Sequence, residues 1–538
     1  MSTLTATEYN RESSPMPSGN APVKVKGTFR VAFVAGAVSL LYSLYAYTQE
    51  WFLLYSDAQS HLTIARRLYD SPSPGFDMLG TVWLPVPHLL LTPLTAIYSL
   101  WVTGWAGAIL GALCMMVSAG ALWRIGTRVK LSKWSRIVVV AVFVLNPSML
   151  YLSCTALTEP VLLAALLSAT AGLTGWIYSP NPKSMGELVV FAGIPSGIAV
   201  LSRYEGWMFI VVGTVFVLFT SYRRWRSLSY TIGLTASYIA VPFTAVAWWL
   251  SYNWVRFNDP LSFARDEYSA AAQQNQLYEL GLLPTKGNLG LSIWTYNWDL
   301  LAFIGVPLAI CAFAGGILLI IKRGFDTSAL SIWMTGFAYP FAVVALFLGQ
   351  TAVRNDHTLP TGLFNLRYAA VALPLVALLC GVLSDEINAY VRKFSFGKPI
   401  GSVIIVAVLS MFLFWSYSEP VQRIGVMAEG YANANGQTNA NEATQWLADN
   451  YDGGGLLIDE GANPVLIKLG MNLSDVTATY TGDVYTSALE NPRQVKWIYT
   501  NTGSKNDRVW AKLGKDVTFQ HEFVPAFSSG PVTVWKRL

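Results

Sequence analysis

VAFVAGAVSLLYSLYAYTQEWF, residues 31–52, is apolar enough to cross a bilayer, and the chain leaves it as LLYSDAQSH, residues 53–61. A membrane span needs about 20 apolar residues. Asp57 and His61 therefore stand just beyond the hydrocarbon. Two more charged signals, Thr158-Glu159-Pro160 and Arg203-Tyr204-Glu205-Gly206-Trp207, also sit at the ends of apolar stretches. Ionisable groups at a membrane boundary are costly unless they are paired or functional. Three such groups on one side of the membrane point to an active site at its surface.

Composition supports a membrane protein. Of 538 residues 53% are hydrophobic and only 12% charged, where a soluble protein carries about 25% charged residues. The net charge is +5, and no basic stripe lies on a polar segment, which argues against nucleic acid as a partner. Cys114, Cys154, Cys311 and Cys380 all fall in apolar stretches, so no disulfide framework is implied. Residues 1–29 are polar and lack the apolar core of a signal peptide. They read as a disordered cytoplasmic tail.

Eleven stretches read as spans: 31–52, 104–123, 137–156, 160–177, 187–202, 207–221, 229–250, 300–321, 328–348, 368–384 and 400–417. Basic residues concentrate on the cytoplasmic side, and this orients the chain. With the N-terminus inside, inner segments carry 18 Lys and Arg, against 8 in the outer loops before residue 418. Asp57, Glu159, Arg203 and Arg367 then all fall outside, as does the C-terminal region, in a multi-pass protein of the cell membrane. Residues 85–103 are apolar but contain Pro85, Pro87 and Pro93. As a span they would reverse the charge rule at 124–136, so they read as a helix lying in the outer interface or dipping back. A helix with Leu62, Ala65, Arg66 and Tyr69 on one face precedes them.

Residues 421–538 lose the spans and gain charge. Helices at 441–450, 463–469 and 507–513 alternate with strands at 455–459, 495–500, 519–523 and 532–535, which predicts a small outer α/β domain. Gly453-Gly454-Gly455 precedes a strand, the wrong side for a dinucleotide turn.

Each charged residue admits two readings. Ser56 or Asp57 caps a helix, or Asp57 is a general base in a lowered dielectric. Thr158, Glu159 and Pro160 make a good helix start, or Glu159 belongs to a site. Arg203 pairs with Glu205 or Glu159, or its planar fork holds a phosphate. Arg367 snorkels to the headgroups, or binds that phosphate too. His61, His88 and His357 show no metal-ligand spacing. The outer stretch 251–299 is long enough for a lid, while Trp294 and Trp298 read as interfacial belt residues.

In the order and sidedness of these motifs the chain resembles the GT-C superfamily, the polyprenyl-phosphate-sugar-dependent membrane glycosyltransferases. That superfamily includes protein O-mannosyltransferases, aminoarabinose transferases and oligosaccharyltransferase catalytic subunits. The resemblance covers roughly residues 30–420. It rests on Asp57 after the first span, helices in the first outer loop, Glu159 after the third span, the Arg203–Trp207 turn, and Asn365-Leu366-Arg367-Tyr368. It implies an inverting transfer of a sugar from a polyprenyl-phosphate carrier to a protein, glycan or lipid acceptor. Asp57 would be the base, with Glu159 orienting the acceptor or stabilising charge. Arg203 and Arg367 would take the lipid phosphate, and Tyr204, Glu205, Tyr368, His61 and His88 would complete the carrier site. No second acid stands beside Asp57, and Glu159 lacks the acidic partner with which oligosaccharyltransferases bind a divalent cation, so no cofactor is expected. The alternative is a transporter or flippase for a lipid-linked or small anionic substrate. It would show repeated halves or broken helices near the midplane, and neither is legible in the sequence.

Overall fold

The computed structural model describes residues 25–178, 185–266, 269–394 and 398–538. Most of the expected N-terminal tail, together with Lys183, Glu267 and Tyr268, lies outside the described residues. Nine described helices are long and apolar enough to cross a membrane: Thr28–Thr48, Trp105–Arg128, Glu159–Ile177, Glu205–Trp225, Leu228–Phe257, Val306–Arg323, Thr327–Phe347, Leu366–Arg392 and Ile400–Ser418. The two remaining stretches are helical but irregular. Residues 187–202 correspond to the shorter helix Met185–Val200, which contains a π turn at Val189–Gly193. Residues 137–156 correspond to Lys133–Val144 and Pro147–Ser153, bent by 62°.

That bend corrects the expectation of unbroken spans. Pro147 has no N–H to continue the helix, and the Asn146 side chain accepts from Met149 N (3.0 Å), starting a new one. The expected span 300–321 is also divided. Helix Leu289–Ile304 ends at Gly305, whose φ of 78° no β-carbon residue adopts easily, and Val306–Arg323 begins afresh with Pro307 in its first turn. The stretch 251–299, expected as an outer loop, is largely helical among its described residues. Residues 85–103 form two short helices, Val86–Thr95 and Tyr98–Val102.

The two ends of the bundle differ chemically. Helix Glu159–Ile177 starts at the acidic residue Glu159. Near its far end, Arg128 and Arg224 donate to the carbonyls of Ala171 (2.7 Å) and Ile177 (3.0 Å). Arg323 does the same for Val129 O (2.8 Å), at the end of Trp105–Arg128. Cations belong at helix C-termini, where carbonyls are unpaired and the dipole is negative. The arginines that mark the inner side by sequence therefore tie helix ends together, away from Glu159.

At the opposite end sits a five-stranded sheet, ordered β2 (Val476–Thr477), β1 (Leu456–Ile458), β3 (Trp497–Asn501), β5 (Val532–Arg537), β4 (Phe523–Ser529). β1 runs parallel to β2 and β3, and β5 runs antiparallel to β3 and β4. Side chains alternate across a strand. Leu456 and Ile458 accordingly join the core shared with the helical bundle, while Leu457 joins Ile498, Val509, Leu513 and Phe519 behind the sheet. The strand expected at 519–523 is instead helix Val517–Glu522, because Asp516 caps Phe519 N (2.8 Å), and β4 begins only at Phe523.

The sheet is docked on the first loop. Arg67 Nη1 donates to Glu460 (3.0 Å), Ser474 N to Asp70 (3.1 Å) and Tyr98 Oη to Gly470 O (2.8 Å). Exposed positions test the orientation. In a cysteine-free background, a membrane-impermeant maleimide on intact cells should label Ser73→Cys and Thr502→Cys but not Lys130→Cys or Arg223→Cys. Labelling of the second pair without the first would invert the molecule.

Candidate active site

Four segments far apart in sequence meet at the sheet-facing end of the bundle. The first is helix Ser56–Arg67, which carries Asp57 in its opening turn. Tyr55 holds the cap position and no side chain caps the helix, so the cap reading of Ser56 and Asp57 does not describe this helix. The Asp57 carboxylate is paired instead with Arg367 Nη2. Arg367 also lies 3.4 Å from Glu159 Oε1 through its Nε, an ion pair without hydrogen-bond alignment.

Glu159 Oε1 in turn accepts from Arg203 Nη1 (3.0 Å), and Arg203 Nη2 donates to Glu205 Oε1 (2.9 Å). Glu205, Arg203, Glu159, Arg367 and Asp57 thus form one chain of alternating charge. Its three carboxylates and two guanidiniums sum to −1. Thr158 stands before the helix but does not cap it, since its hydroxyl accepts from Arg203 (3.0 Å). Burial grades along the chain. The side-chain exposure of Glu159 is 0%, of Arg367 8% and of Asp57 36%. The network therefore opens to its surroundings at Asp57, and its middle is buried. Burial opposes the charge on Arg203, but Glu159 and Glu205 outweigh it and hold its pKa above the ordinary arginine value.

Local sequence explains how Arg203 gets there. A β-carbon at residue 206 would lie 2.4 Å from Ala199 O, so only glycine lets helix Glu205–Trp225 turn back so tightly on the preceding one. Trp207 Nε1 locks the turn by donating to Val200 O (3.1 Å). Tyr368 lies between the guanidiniums, its ring centre 5.2 Å from Arg203 and 5.9 Å from Arg367. Tyr204 turns away from the network. It donates to Val82 O (3.1 Å) and stacks on Phe263 at 5.4 Å.

His61 lies one turn after Asp57 on the same helix. Its Nδ1 is 2.9 Å from His88 Nε2, and its ring packs 4.5 Å from that of Trp83. Burial, helped by the charges of Arg367 and Arg203, pushes His61 down to about 3, and burial lowers His88 as well. Both are neutral at ordinary pH. His357 stacks on Trp298 at 3.9 Å and takes no part in this pair. Among the described residues no group of three His, Cys, Asp or Glu side chains is arranged to hold a metal ion.

Two site-supporting residues escape the sequence reading. Glu429, on helix Gly425–Asn435, accepts from the backbone N–H of Asn365 (2.7 Å) and Leu366 (2.9 Å), directly before Arg367. Burial raises its pKa, against the lowering pull of Arg367 and those two amides. Asn433, one turn on, accepts from Ser56 N (3.0 Å), directly before Asp57.

No family model matches the sequence, and no curated protein matches it. Solved structures do. ArnT from Cupriavidus metallidurans bound to undecaprenyl phosphate superposes with a TM-score of 0.56 at 13% identity, over 95% of this chain and 98% of that one. Its apo form gives 0.57 at 13%, over 93% and 97%. The fold is GT-C-like. It is the architecture the motif order implies, a polytopic helical bundle with a small C-terminal α/β domain. An oligosaccharyltransferase from Archaeoglobus fulgidus also aligns, at 12% identity over 88% of this chain and 69% of that one, but its TM-score of 0.46 is too loose to carry an argument.

The histidine pair makes stability pH-dependent. An unfolded histidine titrates near ~6.5, whereas folded His61 does so at about 3. Between those values the unfolded chain binds the extra proton. Stability is thus fully present above about 6.5 and is lost as pH falls, by up to about 1.4 kcal/mol per unit per histidine. The Tm of the solubilised protein should fall from pH 7 to pH 5, and His61→Gln should flatten that slope. Equal slopes in both proteins would mean that His61 titrates as it does in water.

Proposed function

We propose that this chain is an inverting glycosyltransferase that moves a sugar from a polyprenyl-phosphate carrier to a protein, glycan or lipid acceptor at the outer face of the membrane. The observation that carries this reading is the Arg367–Asp57 ion pair at the open end of a buried charge chain. Arg367 Nε makes no hydrogen bond among the described residues, and Asp57 is the most exposed member of the Arg203–Glu159–Arg367–Asp57 series. In this reading a base and a phosphate-binding fork stand side by side. The likeness to a structure that holds undecaprenyl phosphate supports the same reading.

The arrangement gives a single displacement. The phosphate of the carrier competes with Asp57 for Arg367, whose planar fork suits phosphate oxygens. Released from that pair, the Asp57 carboxylate takes the proton of the acceptor hydroxyl or amine. The acceptor's electron pair forms the new bond to the anomeric carbon. The bond from that carbon to the phosphate oxygen breaks, and polyprenyl phosphate leaves with its electrons. Charge grows on the departing oxygen in the transition state, where fixed cations stabilise it most. Glu159 holds Arg203 and Arg367 at a fixed spacing. Neutral His61 and His88 contribute polar atoms without adding a cation. The carrier site needs no metal ion in this scheme.

The assay is purified protein with a panel of synthetic undecaprenyl-phosphate sugars and an acceptor extract, read as release of free undecaprenyl phosphate. Asp57→Asn keeps the shape of the side chain and removes the base. It should leave folding intact and lower transfer by roughly 10²–10⁴-fold, the usual worth of a general base. Near-normal transfer by a folded variant would remove Asp57 from the chemistry.

Arg367→Lys keeps the charge but loses the fork. An interaction made mainly in the transition state appears in kcat, so this variant should lose kcat more than carrier affinity. A transporter would instead move labelled carrier across proteoliposomes and release no undecaprenyl phosphate. That result would overturn the transferase reading.

A further inference from the structure

Helix Gly425–Asn435 follows the last span and its short connector and begins the C-terminal region. Val426, Glu429, Gly430 and Asn433 recur at the spacing that places residues on one helical face. Each touches the site from behind. Val426 O accepts from Tyr55 Oη (2.7 Å), and Asn433 Oδ1 accepts from Ser56 N (3.0 Å). The two Glu429 oxygens take the N–H groups of Asn365 and Leu366. At Gly430 a β-carbon would lie 2.8 Å from Tyr151 Oη and 3.1 Å from the Tyr55 ring, so the helix presses its backbone onto these side chains. The residues just before Asp57 and just before Arg367 are therefore held by a single face.

The Arg367 side depends on charge as well as shape. Asn365 has φ +60°, a left-handed conformation. With Leu366 it presents two consecutive N–H groups as a concave anion site. A carboxylate fills that site with both oxygens, and Glu429 is itself buried. An amide in its place would turn an NH2 group toward one of the two donors.

We infer that Glu429 is a positioning residue of the active site, and that with Asn433 it makes helix Gly425–Asn435 a brace holding Arg367 and Asp57 in register. This inference rests on the proposed glycosyl transfer. Glu429 touches no reacting atom and acts through Arg367. The C-terminal region is then part of the catalytic apparatus rather than an appended module.

The test uses the full chain in lipid nanodiscs, the undecaprenyl-phosphate sugar panel, and amide hydrogen exchange of the segments around Ser56 and around Asn365–Leu366. Small misplacements of a catalytic group cost up to roughly a hundredfold. Glu429→Gln should lower kcat by roughly ten- to a hundredfold, with carrier KM changed less than about threefold, and should speed exchange at 365–366. Asn433→Ala, the milder variant, should speed exchange at 56 and lower kcat less.

In an Arg367→Lys background Glu429→Gln should cost far less than it does alone, because it acts through the same guanidinium. A merely structural role would lower Tm while leaving kcat per folded molecule unchanged, and its effects would add to those of Arg367→Lys. Either result overturns the inference. Unchanged exchange at 365–366 in Glu429→Gln overturns it as well. If the wild-type chain transfers no sugar but exchange at 365–366 still rises in Glu429→Gln, the transfer reading fails while the brace stands.

Discussion

A single buried carboxylate, Glu159, sets the terms for the rest of the molecule. It is fully enclosed, and an ion of that kind in a medium of low dielectric is tolerated only when paired. One of its oxygens faces both Arg203 and Arg367, and the other has no partner among the described residues. Each guanidinium, buried in its turn, needs a further anion, and Glu205 and Asp57 supply them. Removing Glu159, the enclosed link, would leave Arg203 and Arg367 short of a buried anion, a change that typically costs about 3–5 kcal/mol, whereas Asp57 sits at the partly exposed end and its loss is cushioned by water. Four segments separated by up to about 310 positions are thereby required to converge. The fold around them is the one that lets helix N-termini and tight turns deliver these side chains to one end of the bundle.

The same requirement explains why the C-terminal region packs so closely. Arg367 lies in an irregular 3-10 turn whose first residues have no helical partner for their N–H groups. Left to water, that turn would fray and the charge chain would lose its register. Glu429 satisfies those donors, and Asn433 does the same for Ser56 at the start of the Asp57 helix. The far end of that helix is tied to the sheet through Arg67 and Glu460. Asp57 is thus fixed by one extramembrane contact at each end of its helix.

Much of this was legible in the sequence, for a physical reason. Long apolar runs have no alternative to spanning, and charged residues at their ends have few places to go. The spans and the positions of Asp57, Glu159, Arg203 and Arg367 therefore emerge from pattern alone. What was hidden depends on contacts that sequence does not mark. Nothing local in Met427-Ala428-Glu429-Gly430 indicates a carboxylate that bonds to an amide 64 residues earlier. The direction of Tyr204 is decided by a tight turn and by Phe263, not by its neighbours in the motif. The break at Asn146-Pro147 carried a local signal, a cap residue before proline, but the apolar run around it masked the message. At residues 517–522 the Asp516 cap outweighs the strand-like spacing of Phe519 and Phe523.

The negative balance of the charge chain also shapes the end of the proposed reaction. With Asp57 ionised, three carboxylates face two guanidiniums, so a bound phosphate is always in competition for Arg367. In the proposed scheme, proton transfer from the acceptor would neutralise Asp57 and remove that competitor just as polyprenyl phosphate forms. In that scheme the product would be held while Asp57 carries the proton. Asp57 is the partly exposed end of the chain, whereas Glu159 is not, so the proton can pass to water without opening the buried middle. Loss of that proton restores the anion, the ion pair reforms, and the lipid phosphate is displaced. A site with an excess of cations would bind the carrier more tightly and would have no such means of letting the product go.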